Sequence, residues 1–172
     1  MSPTLYIILF LSAFLPLFEL RLTIPLGVLL LGEPAYLVVP VAVIANIVAG
    51  IVAYALVDVF ILLARKSAFV DRIYQRYVLK VQKKIHLKIE RWGFLGLALF
   101  IGIPLPVSGV YTGAFGARIL GMDFMQFLIA SIVGVCIAAL AVLLVTLFLQ
   151  ELLVVIGFNE HTVELFRSLF GL

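Results

Sequence analysis

The sequence predicts an all-α polytopic membrane fold: two re-entrant hairpins and two transmembrane helices in an inverted repeat, joined by a cytoplasmic amphipathic linker helix. Three observations predict it. The 172 residues are 65% hydrophobic and 12% charged, against ~45–50% apolar and ~25% charged in ordinary globular domains; the mean hydropathy is +1.30. Four apolar blocks, at about 4–31, 35–64, 94–120 and 124–157, each exceed the ~20 residues that a helical span needs. Two of those blocks, the first and the third, are interrupted by prolines where a span should be unbroken helix.

The first block, Thr4–Leu31, contains Pro16, Glu19, Arg21 and Pro25. Half the hydrocarbon thickness is ~15 Å, which ~10 helical residues cover. A block of this length can therefore reach the midplane and return, turning near Pro16–Glu19. The second block, Ala35–Ala64, has no proline after Pro40 and reads as a true span. Its Asn46 is expected to make an interhelical hydrogen bond, and Asp58, near the end, to be solvated at the interface.

The third block, Phe94–Leu120, contains Gly102-Ile-Pro-Leu-Pro-Val-Ser-Gly109 and turns near Pro106–Ser108. Proline, glycine and hydroxyl residues stand where a hairpin tip must reverse the chain. The fourth block, Phe124–Gly157, is proline-free and longer than a bilayer is thick. Cys136, the single cysteine, lies in this apolar run and is expected to be a buried small hydrophobe. No signal peptide is expected, because Met1-Ser-Pro-Thr-Leu-Tyr6 lacks a positive stretch.

Hairpin and span thus occur twice, over 1–64 and 93–157, with a basic linker at 65–92 and an interfacial tail at 158–172. With one true span per half, the second unit enters from the opposite side. That arrangement is an inverted repeat, which in transporters places the site at the repeat interface. Weak echoes accompany it: Gly50-Ile-Val-Ala-Tyr-Ala-Leu56 resembles Gly134-Val-Cys-Ile-Ala-Ala-Leu140.

The linker segment Arg65–Arg91 holds nine of the twelve Lys/Arg against only Asp71 and Glu90, a surplus of seven positive charges. The positive-inside rule places it in the cytoplasm, with the termini opposite. Phe69, Ile73, Tyr77, Val81, Ile85, Ile89 and Trp92 recur every three or four residues. Such a stripe suits a helix lying on anionic lipid headgroups. Topology explains the charge, and no nucleic-acid motif accompanies it, so nucleic acid is not an expected partner.

Charge at membrane depth is expensive and tends to be paired or functional. Burial disfavours the charged form of a carboxyl, which makes Glu19 a candidate proton-coupling site. Arg21 is a candidate partner for Glu19 or for an anionic group. Residues two apart do not face each other on a regular helix, so that pairing requires a broken backbone. Arg118 either snorkels to the interface or meets a headgroup or substrate phosphate. The full candidate set for substrate and protons is Glu19, Arg21, Pro25, Gly27, Pro104, Pro106, Ser108, Gly109, Thr112 and Arg118. Gly109-Val-Tyr-Thr-Gly113 is a GxxxG match, which means either close packing at the tip or a homodimer face. Neither His86 nor His161 has a cysteine or histidine partner nearby in sequence, and no nucleophile or P-loop motif is present. No enzyme activity, metal or cofactor is expected.

Glu19-Leu-Arg-Leu-Thr-Ile-Pro-Leu-Gly27, Trp92-Gly93, and Phe100-Ile-Gly-Ile-Pro-Leu-Pro-Val-Ser-Gly-Val-Tyr-Thr-Gly113 followed by Leu120-Gly-Met122 resemble the small multidrug export family. That family resembles a distant branch of the DedA (VTT-domain) membrane proteins. The resemblance implies opposed re-entrant helices meeting at the membrane centre. It also implies movement of phospholipid or polyprenyl-phosphate, or proton-coupled export of small molecules. Glu19 and Pro25 fit the first DedA pattern, but no second glutamate directly follows Gly27. The arginines of the second pattern are missing around Gly102 and Val107–Ser108, with Arg118 the nearest. The resulting expectation is a membrane transporter or lipid translocase that moves a lipid or a small amphipathic molecule, proton-linked through Glu19, with strict proton-coupled small-molecule export or a non-transporting membrane scaffold as alternatives.

Overall fold

The computed structural model describes residues 3–66, 93–104 and 109–155, with Arg72 as an isolated position between them. All regular structure among these residues is helical. In chain order the elements are α1 (Pro3–Phe14), α2 (Glu19–Pro25), a π-helical turn (Leu26–Leu30), α3 (Ala35–Ala64), α4 (Phe94–Gly102), α5 (Val110–Leu120) and α6 (Phe124–Val155). The linker beyond Lys66, Pro106, Ser108 and the tail at 158–172 lie outside the described residues, Arg72 apart.

Helices α3 and α6 are both long and apolar enough to cross a membrane. Their 30 and 32 residues correspond to ~45–48 Å at ~1.5 Å per residue, longer than a ~30 Å hydrocarbon core. Large apolar side chains cover the outside of the molecule, among them Leu17, Tyr36, Leu62, Phe148 and Val155. A surface of this kind suits lipid rather than water.

Both proline-broken blocks fold back on themselves. Ser12 Oγ on α1 lies 2.9 Å from Thr23 Oγ1 on α2, whereas eleven residues of continuous helix would separate them by ~16 Å. Leu9 likewise reaches Gly27. The first reversal falls at residues 15–18, where Leu15, Pro16, Leu17 and Phe18 are all exposed. In the second pair, Gly113 of α5 packs against Ile101 and Leu97 of α4, which brings the second arm back against the first.

The two pairs interlock. The first arm of each packs on the long helix of its own half, α1 on α3 and α4 on α6. Of the second arms, α5 packs mainly on the other half's long helix, α3, while α2 lies between α3 and α6 and packs on both. The common core lies between the long helices and is lined by small residues. Ala42, Ala45, Ala49 and Ala53 of α3 are buried, as are Ala130, Gly134 and Ala138 of α6. Small side chains let helices approach closely where lipid supplies no hydrophobic drive between them. Gly134 shows the need directly: a Cβ there would stand 2.7 Å from the Ala98 carbonyl oxygen of α4.

Cys136 corrects the expectation of burial. It is exposed, because α6 buries the helical stripe Phe127, Ala130, Ser131, Gly134, Ala138 and Val142. Cys136 falls on the other face, beside the exposed Ile132, Val133 and Ile137. Helix α6 is apolar all round, so the sequence marks no face as inward. The GxxxG pair is used within the chain: Gly113 accommodates Ile101, and Gly109 accommodates Glu19.

Candidate functional site

The break between α1 and α2 frees backbone groups, and each must be satisfied inside an apolar molecule. Three elements converge to do this. Asn46 of α3 donates from Nδ2 to the Ala13 carbonyl at 3.1 Å. Tyr111 of α5 donates its hydroxyl to the Phe14 carbonyl. The Glu19 N–H itself donates across the break to the Leu15 carbonyl at 3.0 Å. Asn46 is 1% exposed and Ala13 fully buried, so the interhelical bond expected of Asn46 is present.

Glu19 opens α2 with φ +46°. That left-handed conformation is strained for a non-glycine residue, by ~1–3 kcal/mol. The strained backbone turns its side chain toward α5. The carboxylate accepts a hydrogen bond from the Val110 N–H, at the first residue of that helix. It also lies directly against Gly109, where any Cβ would overlap it. An acceptor of negative charge is favoured at a helix N-terminus, where amides are unpaired and the dipole is positive. Glu19 is only 6% exposed. Its guanidinium neighbour, Arg21, stands 3.9 Å from the carboxylate. The irregular start of α2 thus permits the pairing that a regular helix would forbid.

The first turn of α5 therefore grips both sides of the first break, Phe14 through Tyr111 and Glu19 through Val110. The first break thus meets the start of α5, some ninety residues later in sequence. Residues 19–157 match the family described as "Putative small multi-drug export protein". The chain belongs to this family. No curated protein and no solved structure matches it. The small multi-drug export family match begins at Glu19 itself, just after the first break, and covers the second break and both long helices, and with the apolar exterior it marks a membrane protein.

Of the residues expected at the site in this family member, Glu19, Arg21 and Gly109 come together. Thr112 caps its own turn, donating to the Gly109 carbonyl at 3.1 Å. Pro25 and Gly27 serve packing instead. Pro25 ends α2, and a Cβ on Gly27 would stand 2.6 Å from Val38 of α3. Pro104 is exposed beyond the end of α4.

Arg118 lies at the far end of α5 and belongs to a separate cluster. Its Nε donates to Asp58 Oδ1 at 2.8 Å, and NH2 also bonds Asp58. Its guanidinium sits 4.9 Å from the centre of the Tyr54 ring, and Tyr54 donates to the Met122 carbonyl at 2.8 Å. Asp58, expected to be merely solvated, is thus paired with Arg118. Metal-holding groups of His, Cys, Asp or Glu are not found among the described residues.

Val110, Tyr111 and Tyr54 were not legible as site residues. The Val110 contribution is a backbone amide, which residue identity does not encode. The tyrosines stand in apolar runs where an aromatic ring reads as ordinary span.

Proposed function

We propose that this member of the small multi-drug export family is a polytopic transporter with two re-entrant hairpins in an inverted repeat, like DedA proteins. It moves a lipid or a small amphipathic molecule across the bilayer, and proton exchange at Glu19 controls the movement. The observation that carries this reading is the buried Glu19 carboxylate seated on the first amide of α5, at the meeting point of both breaks. The packing of α1 on α3 and of α4 on α6, each first arm on the long helix of its own half, supports the repeat. The exposed apolar turn Leu15-Pro-Leu-Phe18 suits a tip inside hydrocarbon rather than one among headgroups.

Proton gain by Glu19 weakens its hold on the Val110 amide, since bonds to charged acceptors are the stronger ones. Loss of that bond frees the tips to part, and the path between them opens to substrate. The half-buried Arg21 then compensates any anionic group that passes. Export of a small molecule is the second reading, favoured by the family's description.

The test uses purified protein in vesicles of phosphatidylethanolamine and phosphatidylglycerol. Two probes are compared: a fluorescent (NBD-labelled) phosphatidylglycerol and ethidium. Wild-type protein moves one of them, and the probe that moves chooses between lipid and drug. Glu19→Gln and Arg21→Gln both fold at wild-type yield; Arg21→Gln transports at least tenfold more slowly, and Glu19→Gln, which lacks the charge that latches the tips, transports at a rate that no longer follows pH. Variants that lose folded yield in proportion to transport would instead identify a scaffold.

A further inference from the structure

Ser131 of α6 is the one buried side-chain polar atom without a hydrogen-bond partner among the described residues. It is 1% exposed. Other buried hydroxyls in the molecule behave differently. Thr146 on the same helix donates back to the Val142 carbonyl at 2.7 Å, and Thr23 does the same to Glu19 at 2.7 Å. Such back-bonding is the usual resort of a hydroxyl on a membrane helix. Ser131 instead aims its oxygen across to α3 and α5. The Cβ position of Gly50 lies 3.2 Å from Ser131 Oγ, 3.3 Å from Val110 Cβ and 3.5 Å from Phe127 Cζ. Ser131 Oγ and the side chain of Val110, the residue whose amide holds Glu19, thus both border the same point beside Gly50.

A buried hydroxyl with no partner in any state is a standing cost that alanine would remove. We propose that Ser131 is a hydrogen-bonding contact for the transported molecule, uncovered when the first turn of α5 leaves α3 and α6. The group it meets is a neutral oxygen, a hydroxyl or an ester carbonyl. A single hydroxyl beside a valine and a phenylalanine ring cannot offset the desolvation of an ion. This inference rests on the reading that an amphipathic molecule passes between the tips beside Glu19.

The experiment measures movement of NBD-phosphatidylglycerol, which carries both ester carbonyls and hydroxyls, in phosphatidylethanolamine–phosphatidylglycerol vesicles at increasing probe fractions. Ser131→Ala raises the half-saturating probe fraction about three- to tenfold, as loss of one hydrogen bond does. Its thermal midpoint stays level or rises. An unchanged half-saturating fraction overturns the proposal, and so does a lowered thermal midpoint at unchanged half-saturation, the mark of a trapped water.

A second arm is independent of transport. Ser131→Cys, in a Cys136→Ala background, is shielded from maleimide while Glu19 holds the tips together. The same cysteine reacts when Glu19→Gln is added, and NBD-phosphatidylglycerol slows that reaction. A cysteine that never reacts, or that reacts at the same rate with and without probe, overturns the proposal. Wild-type protein that moves no probe at all would count against the lipid-transport reading alone, and the labelling arm then decides about Ser131.

Discussion

Replacing Gly109 with alanine isolates the seat of Glu19. The backbone at Gly109 is extended, at φ −93° and ψ −169°, so alanine adopts it without strain. The added methyl has one obstacle: its position coincides with the Glu19 carboxylate. The carboxylate must leave, and its bond to the Val110 amide is lost. A hydrogen bond to a charged acceptor contributes ~1.5–3 kcal/mol. Alanine at a helix N-cap also costs up to ~1 kcal/mol relative to glycine, whatever its neighbours. A double-mutant cycle with Glu19→Ala separates the two. In micelles, Gly109→Ala alone is expected to lose ~2–4 kcal/mol of unfolding free energy. In the Glu19→Ala background only the cap contribution of up to ~1 kcal/mol remains. A coupling energy indistinguishable from zero would refute the seating of Glu19 on α5. So would a Gly109→Ala protein with wild-type transport.

Four further outcomes follow from the same structure. Asn46→Ala leaves the buried Ala13 carbonyl without its donor; thermal unfolding in detergent should show ~1–2 kcal/mol of destabilisation, the upper range for such bonds in membranes. Gly134→Ala forces a methyl onto the Ala98 carbonyl and should cost ~1–3 kcal/mol by overpacking, whereas Gly116→Ala meets nothing within 4 Å and should be neutral or stabilising. The Arg118–Asp58 pair is exposed, Asp58 by 57%, so Asp58→Asn should shift stability by no more than ~1 kcal/mol, and a larger loss would show a structural lock. In the hairpin topology, Asp123→Cys in a Cys136→Ala background reacts with impermeant maleimide from the linker's side of the membrane; reaction from the opposite side would favour four plain spans.

Much of the fold was legible because membrane helices announce themselves by length. The block at 35–64 coincides with α3, and the blocks at 94–120 and 124–157 begin where α4 and α6 begin. The first break fell where Pro16 and Glu19 pointed. Glu19, Arg21 and Asn46 were conspicuous because polarity is rare and costly at such depth. What stayed hidden depends on long-range partners. Arg118 finds Asp58 sixty residues away, and Glu19 finds a backbone amide rather than a side chain. Asp123 and Gln126 form reciprocal capping bonds at the start of α6, a four-residue signature that could have fixed that helix start. Cys136 was misplaced because an all-apolar helix offers no moment to read.

The most direct test of the central claim is the rate of probe movement as a function of pH, for wild type and Glu19→Gln at matched folded protein in the same vesicles. If Glu19 is the proton-responsive latch, the wild-type rate changes with pH while the rate of the glutamine variant is flat across the range. A glutamine variant with the wild-type rate and the wild-type pH curve would contradict it.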